Sequence, residues 1–312
     1  MAVNYGIAAL LSMIILLFMT LYVNMRYQNW KFSHKFLGFV FILAGLHTFL
    51  ITTDISYYPL LKLYIIFICL IGVVSYVYGS YLRPKLAKKF NYIIESVESK
   101  NKIHLINLKP LNEKIQFKAG QFVFVKLKGE NLSSELHPFT IASSPSERNL
   151  FFAIKSLGDY TEGLKFLKKG NLAEIEGPYG KFHSSSFNHD QVWIAGGIGI
   201  TPFLSLAKDL ALNKQSKTNV HFYYSTRNRS EAIFLNEITN IIKDSPNIKL
   251  IPHFSDENGH INLKKIESKF ASLKNMEFFL CGPEKMILDL YTQLRNAEVK
   301  KSSIHKEEFN FK

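Results

Sequence analysis

The chain has 312 residues, 47% of them hydrophobic, a formal charge of +13 and only two cysteines. That length accommodates two soluble domains and a small membrane part. Its basic residues are juxtamembrane or scattered, with no aromatic-interleaved stripe, which suits attraction to an anionic inner leaflet and excludes nucleic acid as the partner. Cys69 sits in an apolar span and Cys281 in the part expected on the cytoplasmic side, so an intrachain disulfide and a thiolate-metal protein are excluded too.

Apolar residues concentrate in residues 1–82. Tyr5–Val23 runs nineteen residues without a charge, about 28 Å as a helix, enough for a bilayer core. Phe36–Thr53 and Leu60–Leu82 are comparable, the last interrupted by Lys62, which can snorkel to the interface. No basic leader precedes the first span and no Ala-x-Ala site closes it, so it is expected to stay as a helix. Arg26, Lys31 and Lys35 follow the first span, and Arg83, Lys85, Lys88 and Lys89 follow the third. Segment 54–59 and the first four residues carry neither Lys nor Arg. The positive-inside rule therefore predicts an outside N-terminus and a cytoplasmic C-terminal part, in a cell membrane, expected to be a bacterial inner membrane. His34 and His47 bracket the second span, thirteen residues or about 20 Å apart along a helix and about 140° apart around it. His34 reads equally as an interfacial polar residue. His47, deeper, is costly there and points to function.

From Phe90 to His183 short strands and turns alternate (Tyr92–Val97, Ile103–Leu108, Phe122–Leu127, Phe151–Ile154, Leu172–Glu176), predicting a small antiparallel β-barrel. Within it, His137-Pro-Phe-Thr-Ile-Ala-Ser-Ser-Pro145 sets an aromatic, Phe139, beside a hydroxyl, Thr140, on a short extended run. That pairing can lay a ring against an isoalloxazine and a hydrogen-bonding group near its reactive edge. The plain alternative is a strand ending in a Ser-Ser-Pro turn. Gly158-Asp-Tyr160-Thr161 then turns to helical spacing, and a helix starting near Thr161 would aim N–H groups at a pyrophosphate, serve as a simple N-cap, or both.

From Gln191 strand and helix alternate as in a doubly wound α/β fold. Val192–Ala195 is a buried strand, Gly196-Gly197-Ile-Gly199-Ile-Thr201-Pro202 opens a helix to about Leu212, and Val220–Ser225 is a second strand. Glu231–Ile242 is predicted helical, Lys249–Phe254 extended, and Phe278–Pro283 a strand ending in Cys281-Gly282-Pro283 before a helix over Glu284–Leu294. A Gly-x-Gly between strand and helix, backed by a later strand-end Cys-Gly-Pro, predicts nicotinamide dinucleotide binding. Arg227 and Arg229 follow the second strand where NAD-specific folds tend to carry an acid, so NADPH is expected over NADH; the alternative is a basic surface turn. Ile304–Lys312 reads as a last strand with alternating Phe309 and Phe311.

These motifs, in this order, resemble the ferredoxin-NADP reductase superfamily, specifically its ferric reductase/NADPH oxidase-like branch. The resemblance implies a partial membrane domain (1–84), an FAD-binding barrel (85–186) and an NAD(P)H-binding domain (187–312). It implies that His137, Pro138, Phe139, Thr140, Lys155, Gly158, Tyr160 and Thr161 hold FAD, with His137 standing where many relatives have Arg. Cys281 would line the nicotinamide pocket without acting as a nucleophile, and Phe311, with Phe309 second, would cover the flavin. His34 and His47 resemble the bis-histidine helix of that family, each giving one ligand to one of two haems b. The family domain has six spans and two such helices. Three spans imply an incomplete coding sequence, a partner or second copy supplying the other helix, or lost haem binding. The implied activity is electron transfer from NAD(P)H through FAD and haem across the membrane to dioxygen or ferric iron. The alternative is an anchored dehydrogenase serving a separate redox protein.

Overall fold

The computed structural model describes residues 2–308 apart from 24, 26, 51–56, 130, 131, 133, 134, 184–188, 214–217, 268, 269 and 271. The chain divides into two compact units, Met1–Ala87 and Lys88–Lys312.

The first unit holds helices α1 (Ala2–Tyr22), α2 (Tyr27–Leu50) and α3 (Pro59–Val77), then a π-helical turn over Tyr78–Leu82 and the short α4 (Arg83–Leu86). Among the described residues, three stretches, Ala2–Tyr22, Phe32–Leu50 and Pro59–Leu82, are long and apolar enough to cross a membrane. Their side chains are mostly exposed, as helices facing lipid require. Small residues let the helices close, as is usual in lipid. A Cβ on Gly6 of α1 would meet the His47 ring at 2.7 Å, and Tyr76 of α3 donates its hydroxyl to the Lys35 carbonyl at 2.9 Å. Helix α2 runs unbroken through both histidines, so no unwound turn reconciles their directions. The last predicted positions of the second span, 51–53, fall outside the described residues.

The second unit begins with an antiparallel sheet of β1 (Lys89–Lys100), β2 (Ile103–Pro110), β3 (Phe122–Lys128), β4 (His137–Thr140), β5 (Leu150–Lys155) and β6 (Leu172–Tyr179). Their order is β4-β3-β6-β1-β2-β5, and the two edges meet just beyond Thr140, where Ala142 donates to the Phe151 carbonyl at 2.8 Å. Alternating side chains fill the interior with Ile94, Ile106, Leu108, Val123, Val125, Phe152 and Ile175. Tyr92, fully buried there, satisfies its hydroxyl by accepting from the Ile115 N–H at 3.0 Å. Between β5 and β6 lies α5 (Asp159–Gly163), continued as a 3₁₀ turn over Leu164–Phe166.

The remainder is a parallel sheet of β7 (Gln191–Gly196), β8 (Val220–Thr226), β9 (Ile248–Phe254), β10 (Glu277–Gly282) and β11 (Ile304–Glu308), in the order β11-β10-β7-β8-β9. Among the described residues, five helices accompany it: α6 (Thr201–Leu212), α7 (Leu235–Ile242), α8 (Ser255–Asn258), α9 (Leu263–Glu267) and α10 (Glu284–Asn296). β7 is buried along its whole length, as a central parallel strand must be. The helix expected over Glu231–Ile242 starts only at Leu235. The Asn228 side chain accepts from the Glu231 N–H and winds 229–231 into a 3₁₀ turn, which ends at the Ala232 bend before α7 begins.

Barrel and nucleotide sheet share one core. Ala119, Ala142 and Ala153 from the barrel pack with Trp193, Phe203 and Leu206. Buried Ser205 of α6 donates to the Ser143 carbonyl at 2.6 Å, and Lys208 lies over the Phe151 ring at 5.4 Å.

Candidate functional site

The His137–Thr140 segment is a strand, β4, paired antiparallel with β3 so that Val125 faces His137, Val123 faces Phe139 and Phe122 faces Thr140. Alternation sends His137 and Phe139 the same way. Tyr160 of α5 comes up beside them, its ring 3.6 Å from His137 at 25° and 6.5 Å from Phe139 at 19°. Thr140 is buried and its Oγ1 has no hydrogen-bond partner among the described residues. Such a hydroxyl costs about 1–3 kcal/mol unless something bonds it. A flavin edge beside Phe139 would supply the partner, so these residues fit FAD. Beyond Thr140 the Ser-Ser-Pro turn is tied down, with Ser143 Oγ accepting from the Phe151 N–H and Glu147 from the Ser144 N–H.

The Gly158 loop differs from expectation. α5 is only five residues long, so its dipole is weaker than a full helix would offer. The Thr161 hydroxyl accepts from the Leu157 and Gly158 N–H groups at 2.8 and 3.1 Å and donates back to the Gly158 carbonyl. Thr161 therefore shapes the loop rather than presenting its hydroxyl to a phosphate. Lys155 is exposed at the end of β5.

At the nucleotide end, the two glycine motifs are pressed together backbone to backbone. A Cβ on Gly199 would lie 2.4 Å from the Cys281 carbonyl oxygen, and one on Gly282 would lie 2.9 Å from Gly196 Cα. Gly197 at φ +53 and Gly282 at φ +158 adopt backbone that other residues avoid. The parallel register puts Ala195 beside Cys281 at the carboxyl ends of β7 and β10, where doubly wound sheets bind ligands. Thr201 is buried and donates to the Ile198 carbonyl at 3.2 Å, closing the turn, and Pro202 starts the buried face of α6. Arg227 and Arg229 are exposed on the turn after β8, which Thr226 braces by donating to the Asn228 carbonyl at 2.9 Å. Exposed guanidiniums on a braced turn suit a 2′-phosphate.

One residue of this site escapes sequence reading. Glu307 of β11 pairs with Cys281 in parallel register, and burial lifts its carboxyl to about 7. Its Oε2 is buried with no partner among the described residues. Burial pushes the Cys281 thiol well above its ordinary range, and the Glu307 carboxylate adds to the rise, so the thiol stays protonated and unreactive. An acidic residue within a C-terminal Lys-Glu-Glu run gives no signal of this, because only the register reveals it. Phe309 and Phe311 lie outside the described residues; β11 ends at Glu308, opposite Gly282.

In the first unit, His34 is exposed and stacks on Trp30 at 4.5 Å. His47 is half-buried, with Nδ1 2.9 Å from the Ala2 carbonyl oxygen. A carbonyl only accepts, so Nδ1 carries the proton and Nε2 does not. Residues 1–87 contain no other histidine, so a haem at either position takes one histidine from this chain. Among the described residues no three His, Cys, Asp or Glu side chains cluster as a metal site.

Residues 89–183 match the FAD-binding domain model, and residues 193–291 match the oxidoreductase NAD-binding domain model. Dual oxidase 2 of Sus scrofa is 25% identical over 181 residues, covering 53% of this chain and 11% of the relative. The sulfhydrogenase 2 subunit gamma of Pyrococcus furiosus is 29% identical over 157 residues, covering 48% of this chain and 53% of that one. The chain thus spans about a tenth and about half of those relatives' lengths. The fold is similar to that of a flavohemoglobin from Malassezia yamatoensis, with TM-score 0.64, 21% identity and coverage of 89% of this chain and 77% of that one. It is also similar to that of the Plasmodium falciparum ferredoxin-NADP+ reductase, with TM-score 0.61, 22% identity and coverage of 71% and 96%. With both cofactor domains in tandem, the chain belongs to the ferredoxin-NADP reductase superfamily in its ferric reductase/NADPH oxidase-like branch, and is an FAD-dependent NAD(P)H oxidoreductase.

Proposed function

We propose that the protein is a membrane-bound dehydrogenase that takes hydride from NADPH at a cytoplasmic flavin site and delivers electrons toward its three-helix membrane part. The observation that carries this is the closure of Gly199 on the Cys281 carbonyl, in one compact unit with the orphaned Thr140 hydroxyl. Gly196, Gly197, Gly199, Thr201 and Pro202 form the dinucleotide turn, with Gly282 and Pro283 opposite. Arg227 and Arg229 select the 2′-phosphate, and Cys281 bounds the nicotinamide pocket. Phe139 bears on the flavin, Thr140 bonds its reactive edge, Pro138 stiffens the strand between His137 and Phe139, and Lys155 and Gly158 serve the pyrophosphate. Phe311 covers the flavin until nicotinamide displaces it. Bound FAD supplies the conversion of a two-electron donor into single-electron deliveries. The domains run 1–84, 85–186 and 187–312, with the N-terminus outside and the flavin side cytoplasmic.

His34 and His47 would each hold one haem b, with dioxygen or ferric iron as terminal acceptor. The dual oxidase relative supports that branch of the reading. One histidine per haem favours a second copy or a partner helix for the other ligand. A second reading, an anchored dehydrogenase docking on a separate redox protein, is favoured by the exposure of His34. Haem-to-protein stoichiometry on size-resolved, detergent-solubilised protein separates them. Two low-spin haems on a monomer would contradict the requirement for a second helix. No haem, with flavin still reduced by NADPH, would support the second reading or a truncated gene product.

A further inference from the structure

The run entering β4 carries a carboxylate that none of the roles above uses. Glu135 precedes His137 by two residues, and its Oε2 lies 3.3 Å from His137 Nε2. Its charge is also felt at Tyr160, where burial above all, with a smaller push from Glu135, lifts the phenol to about 12. Glu135 thus sits beside the His137 ring, which stacks on Tyr160 at 3.6 Å and lies 6.4 Å from Phe139. Its other oxygen, Oε1, is buried and has no hydrogen-bond partner among the described residues. A buried carboxylate oxygen left without a donor is costly, more so than a neutral group.

A ligand group bonding Oε1 has to be an uncharged or positive donor, because a phosphate would be repelled by the carboxylate. A flavin nucleotide carries such donors in its ribityl chain, and FAD carries more on its adenosine ribose. We propose that Glu135 is a cofactor-binding residue whose Oε1 accepts a hydrogen bond from a hydroxyl of the bound flavin nucleotide, while Oε2 holds the His137 ring. This rests on the reading of β4 as the flavin strand.

The test is flavin binding rather than turnover. Apo full-length protein in detergent is titrated with FAD, FMN and riboflavin by flavin fluorescence quenching, for wild type, Glu135→Gln and Glu135→Ala, with thermal melts alongside. FAD affinity is expected to fall about tenfold or more in Glu135→Ala and less in Glu135→Gln, which keeps an acceptor but loses the charge. A parallel loss for FMN and riboflavin assigns the donor to the ribityl chain. A loss confined to FAD assigns it to the adenosine ribose. If Glu135→Ala does not fold, the isosteric Glu135→Gln alone carries the test, expected to lose about threefold or more. Wild-type binding of FAD with both variants within twofold of it, or tighter, overturns the proposal and leaves the flavin reading standing. Failure of the wild type to bind any flavin overturns the flavin reading itself.

Discussion

Thr140 Oγ1 and Glu307 Oε2 are buried polar atoms with no partner among the described residues, the first on β4 and the second on β11 beside Cys281 of β10. Replacing Thr140 by Val keeps the shape and removes the hydroxyl. FAD should remain bound, while stopped-flow reduction of the flavin by NADPH slows on the order of 10- to 100-fold. Glu307 gives a pH signature. Its carboxyl is raised from 4.5 to about 7 in the folded protein, so the folded state holds this proton more tightly than the unfolded chain. The resulting stabilisation is complete below the unfolded value and is lost as pH rises through about 7. Relative to Glu307→Gln, the wild type should lose up to about 3 kcal/mol of stability between pH 4.5 and 8, measured by chemical denaturation. A difference independent of pH would place the carboxyl outside the core. Arg227→Ala should raise the KM for NADPH on the order of tenfold and leave that for NADH unchanged, which steady-state kinetics with both nucleotides reads directly.

Elements were legible in the sequence where periodicity or glycine spacing spoke. The three apolar spans, the strand-turn-helix at Gly196–Pro202 and the strand-end Cys281–Pro283 stand close to where composition and turn chemistry put them. Less was legible where a side chain turns back on its own backbone. The hydroxyls of Thr161 and Thr201 are spent on bracing their turns, and Asn228 delays α7 to Leu235, each a local competition that spacing does not resolve. Glu135 and Glu307 were silent because their meaning depends on Tyr160 and Cys281, distant in sequence. The glycine contact between the β7 turn and β10 yields an element-scale prediction. Gly199→Ala must push the two strand ends apart against backbone, not against a flexible side chain. It should cost about 2 kcal/mol or more and abolish NADPH binding, with the barrel still taking FAD. Wild-type nucleotide affinity in Gly199→Ala would show that the turn is not closed as described.

At the scale of the whole molecule, one unit supplies helices fit to cross a membrane and the other a flavin barrel fused to a nucleotide sheet through a shared core. That core, with Ser205 bonded to the Ser143 carbonyl, ties α6 directly to the loop following β4. Hydride transfer should therefore need no partner protein, whatever receives the electrons afterwards. The most direct measurement is anaerobic single-turnover mixing of the FAD-loaded, detergent-solubilised chain with NADPH and, separately, NADH, following flavin absorbance. The account predicts full bleaching of the flavin by NADPH in one turnover, faster at low nucleotide concentration than with NADH. A bound flavin that neither nucleotide reduces would contradict it.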